Sequence, residues 1–229
     1  MPTDLVFVAT PTPTHLDVAL PLLDKAKVVL VEKPLCHSPE AAELLQRSNV
    51  ATGHSERFNP AVRALGEVRP RYVEAVRVMP ATKRAYETDV VIDLMVHDLD
   101  LLCAWEAPDL QLADVQNVVR RDGKLDAVTV KLVGRDFVAR LEVSRTAREK
   151  RRTVTVFERG QAHFLDLLQG TCTVRGHRSA PVDERDALTA QLDNLVAAAL
   201  GESSLEVSAA HGLRALRAAE HIRSAVLET

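Results

Sequence analysis

The stretch Val91–Trp105, VIDLMVHDLDLLCAW, constrains the fold more than any other part of the chain. It reads as a helix that is apolar almost all the way round, and such a helix has to be covered on every side. Asp93, His97 and Asp100 interrupt it at i, i+4 and i+7 and so share one stripe, while Asp98 points elsewhere. Buried carboxylates and imidazoles need partners. An Asp–His pair one turn apart can hold an imidazole in one tautomer, ready to move a proton. It can equally be a structural hydrogen-bonded pair.

The N-terminal part of the chain reads as alternating strands and helices. Leu5–Ala9 is a continuous apolar run, as expected of a strand buried on both faces of a parallel sheet. Thr12 with Pro13 behind it has helix-start chemistry, and the helix is expected to run to about Asp24, kinked or shortened by Pro21. Lys27–Val31 is a second buried strand, Ser38-Pro39-Glu40 opens another helix, and Asn49–Gly53 is a third, short strand. The unit is β-α-β-α-β, and ligands of such sheets bind beyond the carboxyl ends of the strands. Those ends are Thr10–Thr12, Glu32–Pro34 and His54–Asn59. Lys33 is either a cation aimed into the crevice or an ordinary surface lysine after a strand.

From Tyr72 onward the pattern changes. Tyr72–Met79 alternates as a strand, and Pro80–Asp89 is a loop leading to the apolar helix. Beyond the helix lie strand-like runs at Leu110–Val119, Ala127–Val133, Phe137–Ser144, Thr153–Phe157, Gln161–Leu168 and Cys172–Arg175, with turn residues such as Asp122-Gly123 and Arg159-Gly160 between them. The basic cluster Arg145–Arg152 has no interleaved aromatics, so a solvated hairpin is expected there and not a nucleic-acid patch. Two helices close the chain. Asp183 can cap Glu184–Leu200, which stops at Gly201, and Ser208 can cap Ala209–Leu227. Their apolar faces are Leu188, Leu192, Leu195 and Leu213, Leu216, Ile222. The expected fold class is α/β, with a half-Rossmann β-α-β-α-β unit at residues 1–58. An α+β domain with an open mixed or antiparallel sheet occupies 59–229, ending in helices about 184–200 and 209–227.

Composition narrows the class. At 229 residues, 46% hydrophobic and with a net charge of −3, the chain reads as a globular protein with no electrostatic reason to bind nucleic acid or an anionic membrane. No apolar run is long enough to span a bilayer. The N-terminus lacks the basic region and apolar core of a signal peptide. Cys36, Cys103 and Cys172 are odd in number and widely spaced, without a CxxC, which points to reduced thiols, a cytoplasmic location and no metal site.

Taken together, ATPTPTH (Ala9–His15), VEKPL (Val31–Leu35), GHSERFNPAV (Gly53–Val62), DLMVHDLDLL (Asp93–Leu102) and VSAAHGLRAL (Val207–Leu216) resemble the Gfo/Idh/MocA family of NAD(P)-dependent oxidoreductases. The motifs occur in the family's order and cover nearly the whole chain. GHSERFNPAV beside DLMVHDLDLL is most similar to the sugar-nucleotide branch, the UDP-N-acetylglucosamine 3-dehydrogenase-like members. The resemblance implies hydride transfer between a sugar-type hydroxyl and NAD or NADP. It implies that Lys33 lies beside the substrate hydroxyl and nicotinamide, that His97 is the general base, and that Asp93 orients or assists it. By the same resemblance Thr10, Thr12 and Glu32 line the nicotinamide-ribose end of the cofactor site, and Arg57 and Asn59 face the sugar or its neighbours. Relatives commonly associate through the open face of the second sheet, so a homo-oligomer is implied.

The chain departs from the family pattern at its start. Family members open with a strand, a GxGxxG turn and a helix that hold pyrophosphate. No GxGxxG occurs anywhere in this sequence, and Leu5–Ala9 matches the family's fourth strand. That strand is then expected to be an apolar edge, open to pairing with another chain. Three readings are open. The sequence is part of a working dehydrogenase whose start lies upstream of Met1, or a cofactor-free sugar-binding or scaffold protein, or one chain of a complex that completes the site. A metal hydrolase built on His97, Asp98 and Asp100 is a remote fourth, since no second histidine cluster completes it.

Overall fold

The computed structural model describes residues 3–81, 88–105, 110–174, 177–179 and 185–228. Parallel strands β1 (Thr3–Val8), β2 (Ala26–Val31) and β3 (Val50–Thr52) form the first sheet in that order. Valine and leucine fill β2, which is buried from Val28 to Val31 as a central strand between two crossovers should be. β1 is an edge, as expected, with Phe7 53% exposed.

The first crossover departs from the expected helix. A 3-10 turn at Thr12–Thr14 leads into α1 (His15–Ala19), and a second 3-10 turn at Leu20–Leu22 ends it. Thr12 is not an N-cap; Pro11 takes that position and no side chain caps the turn. Pro21 has no N–H to bond back one turn and its ring clashes with the carbonyl four residues earlier, so the tighter 3-10 geometry replaces the α-helix. The second crossover holds α2 (Pro39–Glu43), where Ser38 Oγ accepts from the Ala41 N–H as an N-cap with proline behind it.

After β3 a 3-10 turn, Ser55–Phe58, and α3 (Pro60–Leu65) lead to β4 (Tyr72–Pro80). The apolar helix comes next, in two parts. Val91–Met95 is π-helical, with the Val96 N–H reaching back to Val91 O, and α4 (Val96–Trp105) is regular. The single helix expected over Val91–Trp105 therefore carries a π-turn at the point where its polar residues start. Most of the Pro80–Asp89 loop lies outside the described residues.

The second sheet is mixed and open, as expected. It comprises β4, β5 (Gln111–Arg121), β6 (Lys124–Val133), β7 (Val138–Ser144), β8 (Thr146–Glu158), β9 (Gln161–Asp166), β10 (Thr171–Val174) and β11 (His177–Ser179). The order is β11-β10-β9-β8-β4-β7-β6-β5, with β4 parallel to β7 and antiparallel to β8. Asp122 and Gly123 both have positive φ at the β5–β6 hairpin, which matches the strands' right-handed twist. The basic cluster Arg145–Arg152 is not a hairpin; from Thr146 on it is the first half of the long strand β8. Pairing with β4 draws the cluster into the strand at Thr146, Arg151 and Arg152, while Arg148, Glu149, Lys150 and Arg151 stay exposed, so this half of β8 is solvated as expected without being a hairpin.

The closing helices are α5 (Ala187–Leu200) and α6 (Ala209–Glu228). Asp186, not Asp183, caps α5, its carboxylate accepting from the N–H groups of Leu188 and Thr189; Asp183 and Glu184 lie outside the described residues. Gly201 closes the helix in the left-handed region, as expected. The apolar face assigned to α5 is only partly inward. Leu195 packs with Val28, Leu30 and Ala51, while Leu188 and Leu192 are exposed. By contrast α6 buries Leu213, Leu216 and Ile222, and together with α4 it joins the core of the inner face of the large sheet.

Candidate active site

The carboxyl end of β2 brings Lys33 against the start of the π-turn. Lys33 Nζ donates to Asp93 Oδ1 at 2.8 Å and to the Asp93 backbone carbonyl at 2.9 Å. The other Asp93 oxygen accepts from Arg145 Nη2 at 2.8 Å. Burial works against the Asp93 carboxylate, but Lys33 and Arg145 outweigh it and hold its pKa below the usual carboxylate range. Both carboxylate oxygens are thus engaged by cations. The Asp93–His97 pair expected from spacing is replaced by a Lys33–Asp93–Arg145 bridge that ties β2 to the helix and to the β7–β8 junction. The physical reason is proximity of two cations that bind a carboxylate more strongly than a neutral imidazole does.

Arg145 was hidden in the basic cluster, yet its side chain is only 2% exposed. Its Nη1 donates to Thr88 O at 2.7 Å, which fixes the approach to the helix. Asp89 fixes the same point from the other side, accepting from the Leu125 N–H at 2.6 Å and from Arg223 Nε at 2.5 Å.

His97 is half-buried, with Nδ1 buried and bonded to no protein group. Its pKa lies well below the ordinary histidine value, first because burial disfavours the imidazolium and then because Lys33, Arg77, His54 and Arg152 repel it. A neutral imidazole at neutral pH is the form that accepts a proton.

The other expected site residues divide. Glu32 is half-buried beside Lys33, its Oε2 accepting from the Lys33 N–H at 3.2 Å. Gly53 makes room for it, since a Cβ there would come within 2.9 Å of Glu32 Oε2. Thr10 lies at the end of β1, where its hydroxyl accepts from Thr14 Oγ1 at 2.9 Å. Its carbonyl meets His15 Nε2 at 2.8 Å, and His15 Nδ1 lies 3.1 Å from Pro34 O, so one buried imidazole ties together the strand ends that carry Thr10 and Lys33. Thr12 lines a separate cavity with Pro34, His37, Ile92 and Arg223. Arg57 reaches α4, with Nη1 3.9 Å from Asp100 Oδ2. Asn59 is committed to structure: its Oδ1 caps α3 at Ala61 N–H, and its Nδ2 donates to Glu56 Oε2 and Leu167 O.

A second polar network lies beneath the first. Arg77 forks onto Asp98 with contacts of 2.8 to 3.2 Å and reaches Glu56 Oε1 at 2.8 Å, where Arg152 joins at 3.4 Å. Burial works against the Arg77 cation, but Asp98 and Glu56 outweigh it and raise its pKa above the ordinary value. The sequence held one signal of this network. Val73, Ala75 and Arg77 share the buried phase of β4, so an arginine stands where the alternation demands an apolar residue.

Among the described residues no group of histidine, cysteine and carboxylate side chains could hold a metal ion, and no helix is long and apolar enough to cross a membrane. The three cysteines are free and buried, and burial pushes the Cys36 and Cys103 thiols up to about 11. They are poor nucleophiles at neutral pH.

Residues 2–55 match the family profile described as the oxidoreductase family with an NAD-binding Rossmann fold, GFO_IDH_MocA. The chain is 32% identical to a UDP-N-acetylglucosamine 3-dehydrogenase of Acidithiobacillus ferrooxidans, in an alignment spanning 97% of this chain and 79% of that protein. A solved structure of the enzyme from that organism superimposes with a TM-score of 0.85 at 32% identity, covering 97% of this chain and 78% of the other. An aldose-aldose oxidoreductase of Caulobacter crescentus, solved with glycerol, shares the fold at a TM-score of 0.81 and 18% identity, covering 98% and 77%.

Proposed function

Because the chain belongs to the Gfo/Idh/MocA oxidoreductase family, we propose that it transfers hydride between a hydroxyl of a sugar or sugar nucleotide and NAD or NADP. The observation that carries this reading is the convergence of Lys33, Asp93 and His97 where the ends of the parallel strands meet the buried helix. A carbinol holds its proton tightly, so loss of hydride from its carbon needs a base at the hydroxyl and a cation beside the oxygen. His97 takes the hydroxyl proton as the electron pair of the C–H bond leaves the same carbon and the C=O bond forms. The Lys33 ammonium stabilises the charge that grows on that oxygen. Asp93, pinned by Lys33 and Arg145, fixes the lysine's position and not the imidazole's.

NAD(P) supplies the hydride acceptor when bound. The residues present fit its nicotinamide end: Thr10, Glu32 and Lys33 lie at the strand ends where such sheets hold ligands, with Glu32 and Lys33 only half-buried. Thr12, on the adjoining turn, faces the neighbouring cavity with Pro34 and His37 and is left a supporting part at that end. No residue is assigned to pyrophosphate, since the sequence holds no GxGxxG. Residues 1–58 serve the cofactor and 59–229 the substrate and self-association. Arg57 turns toward the sugar from its seat on Asp100; the hydrogen bonds of Asn59 leave it a supporting part. A second copy docks on the open sheet face, where Val133, Val138, Tyr72 and Phe157 form one cross-strand row, with Tyr72 and Phe157 rings 5.6 Å apart.

The test is NADH binding followed through Trp105, the sole tryptophan, and then formation of NADH from NAD and UDP-N-acetylglucosamine. Saturable quenching with turnover supports the reading. A folded protein that neither binds NADH nor turns over would overturn it for this chain acting alone. Substrate binding by equilibrium dialysis would then favour the cofactor-free alternative.

A further inference from the structure

The helix that presents His97 also carries a polar group that the chemistry above does not use. Asp100 is 1% exposed, and neither of its carboxylate oxygens is hydrogen-bonded to a protein group. It lies three residues after His97 and so shares that face of α4. His54, just past β3, is also 1% exposed, and neither ring nitrogen has a protein partner. Its ring stands perpendicular to that of His97, with centroids 6.1 Å apart. Of the charges acting on His54, that of Asp100 is the largest, ahead of Lys33, Arg57 and Glu32. Five buried polar atoms of these three residues therefore have no hydrogen-bonding protein partner: Nδ1 and Nε2 of His54, Nδ1 of His97, and both oxygens of Asp100, whose Oδ2 has Arg57 Nη1 at 3.9 Å as its ion-pair neighbour.

Groups of this kind are rarely left unpaired, and the usual solution is an internal water making about three hydrogen bonds. The chemistry of the set is complementary. A carboxylate only accepts, while each neutral imidazole has one donor and one acceptor. We propose that His54 and Asp100 are positioning residues that hold water against His97 Nδ1, fixing the Nδ1–H tautomer and leaving Nε2 free to take the substrate proton. The His97 Nδ1–H donates to the water oxygen, and the water donates onward to Asp100 and His54. No proton leaves His97 in this arrangement; the pair sets which nitrogen is basic. It takes the place that Asp93 gives up by pairing with Lys33 and Arg145. The inference rests on His97 being the base of the proposed reaction, but its first test needs no turnover.

The full chain, labelled with nitrogen-15, is studied by long-range proton–nitrogen correlation without cofactor or substrate. The expected result is His97 in the Nδ1–H form, with His54→Gln or Asp100→Asn converting it to a mixture or to the Nε2–H form. His97 in the Nε2–H form in the unaltered protein would overturn the proposal, as would an unchanged tautomer in both variants. If Asp100→Asn does not fold, the unaltered protein and His54→Gln decide. Where turnover is measurable, His54→Gln lowers kcat by about tenfold to a hundredfold at unchanged KM, the range typical of a group that orients another. It also moves the acid limb of the pH profile, on which Lys33, Arg77 and Arg152 act as well. A loss confined to stability, with tautomer and pH profile unmoved, would mean a structural role. Absence of all NAD-dependent activity with the tautomer as expected would break the dehydrogenase reading and, with it, the catalytic use of Nε2, while the control of the His97 tautomer by His54 and Asp100 would stand.

Discussion

One helix serves two polar clusters, and they are built on opposite principles. Around Asp98 every charge is saturated: Arg77 forks onto the carboxylate, Glu56 takes the remaining guanidinium nitrogen, and Arg77 and Asp98 are each about 3% exposed. Around His97 the charges are half-open. The Asp93 side chain is 36% exposed, Lys33 21%, and the His97 ring has a buried nitrogen with no protein partner. A saturated network has nothing left to offer a ligand, whereas a half-open one has cation, base and unused hydrogen-bonding capacity in one crevice. The neighbouring residues His97 and Asp98 fall on opposite sides of that division because consecutive positions of a helix point about a quarter-turn apart.

The comparison breaks first at Arg77. Arg77→Ala strands two buried carboxylates, Asp98 and Glu56, and is expected to cost about 3–5 kcal/mol. Urea unfolding measures it; a loss below about 1 kcal/mol would mean that the network is not structural. Next in size, and opposite in kind, His97→Asn is expected to lower kcat by about 10²–10⁴-fold with an unfolding midpoint close to that of the unaltered protein. A collapse of stability with no specific loss of rate would put His97 in the structural class with Asp98.

The smallest effect is the dependence on acid. His54, His97 and His211 all titrate below the ordinary histidine value, chiefly through burial. The unfolded chain takes up their protons as the pH drops below about 6.5, while the folded chain does so only at lower pH. The unfolded state then binds more protons, so stability is full above about pH 6.5 and declines as the solution is acidified beneath it. Asp93, with its lowered pKa, adds a further loss at more acidic pH, below the ordinary carboxylate value. Unfolding midpoints across this range test the order, and a flat profile between about pH 7 and 5 would mean that these imidazoles are not buried neutral.

Much of this is legible in the residues alone. The runs LVFVA and KVVLV are apolar without alternation, and both are strands of the parallel sheet; only KVVLV is covered on both faces from Val28 to Val31, whereas the edge strand β1 leaves Phe7 exposed. A histidine in an apolar helix is costly unless it is partnered or used, which marks His97, whereas Lys33 at a strand end is readable as chemistry only through the family resemblance. Less is legible where one residue type serves two ends. Arg145 sits among solvent-facing basic residues and nothing local marks it as the one that turns inward to Asp93. Asn59 looks like a sugar contact, but the same amide chemistry caps α3 and bonds Leu167.

By itself the sequence determined where the principal strands and helices lie, though not the 3-10 turns of the first crossover or the π-turn, together with the inward phase of β4 and of the closing helix α6 and the residue types available for proton and charge transfer. These depend on local periodicity and on the cost of burying polar groups, both carried by neighbours along the chain. The tertiary structure alone decided which polar groups pair. Asp93 is nearer to His97 in sequence than to Lys33 or Arg145, yet it bonds to the latter two across separations of 60 and 52 residues. A carboxylate takes the cations that packing delivers to it, and that delivery is a property of the folded topology, with β2, the π-turn and the β7–β8 junction brought to one point.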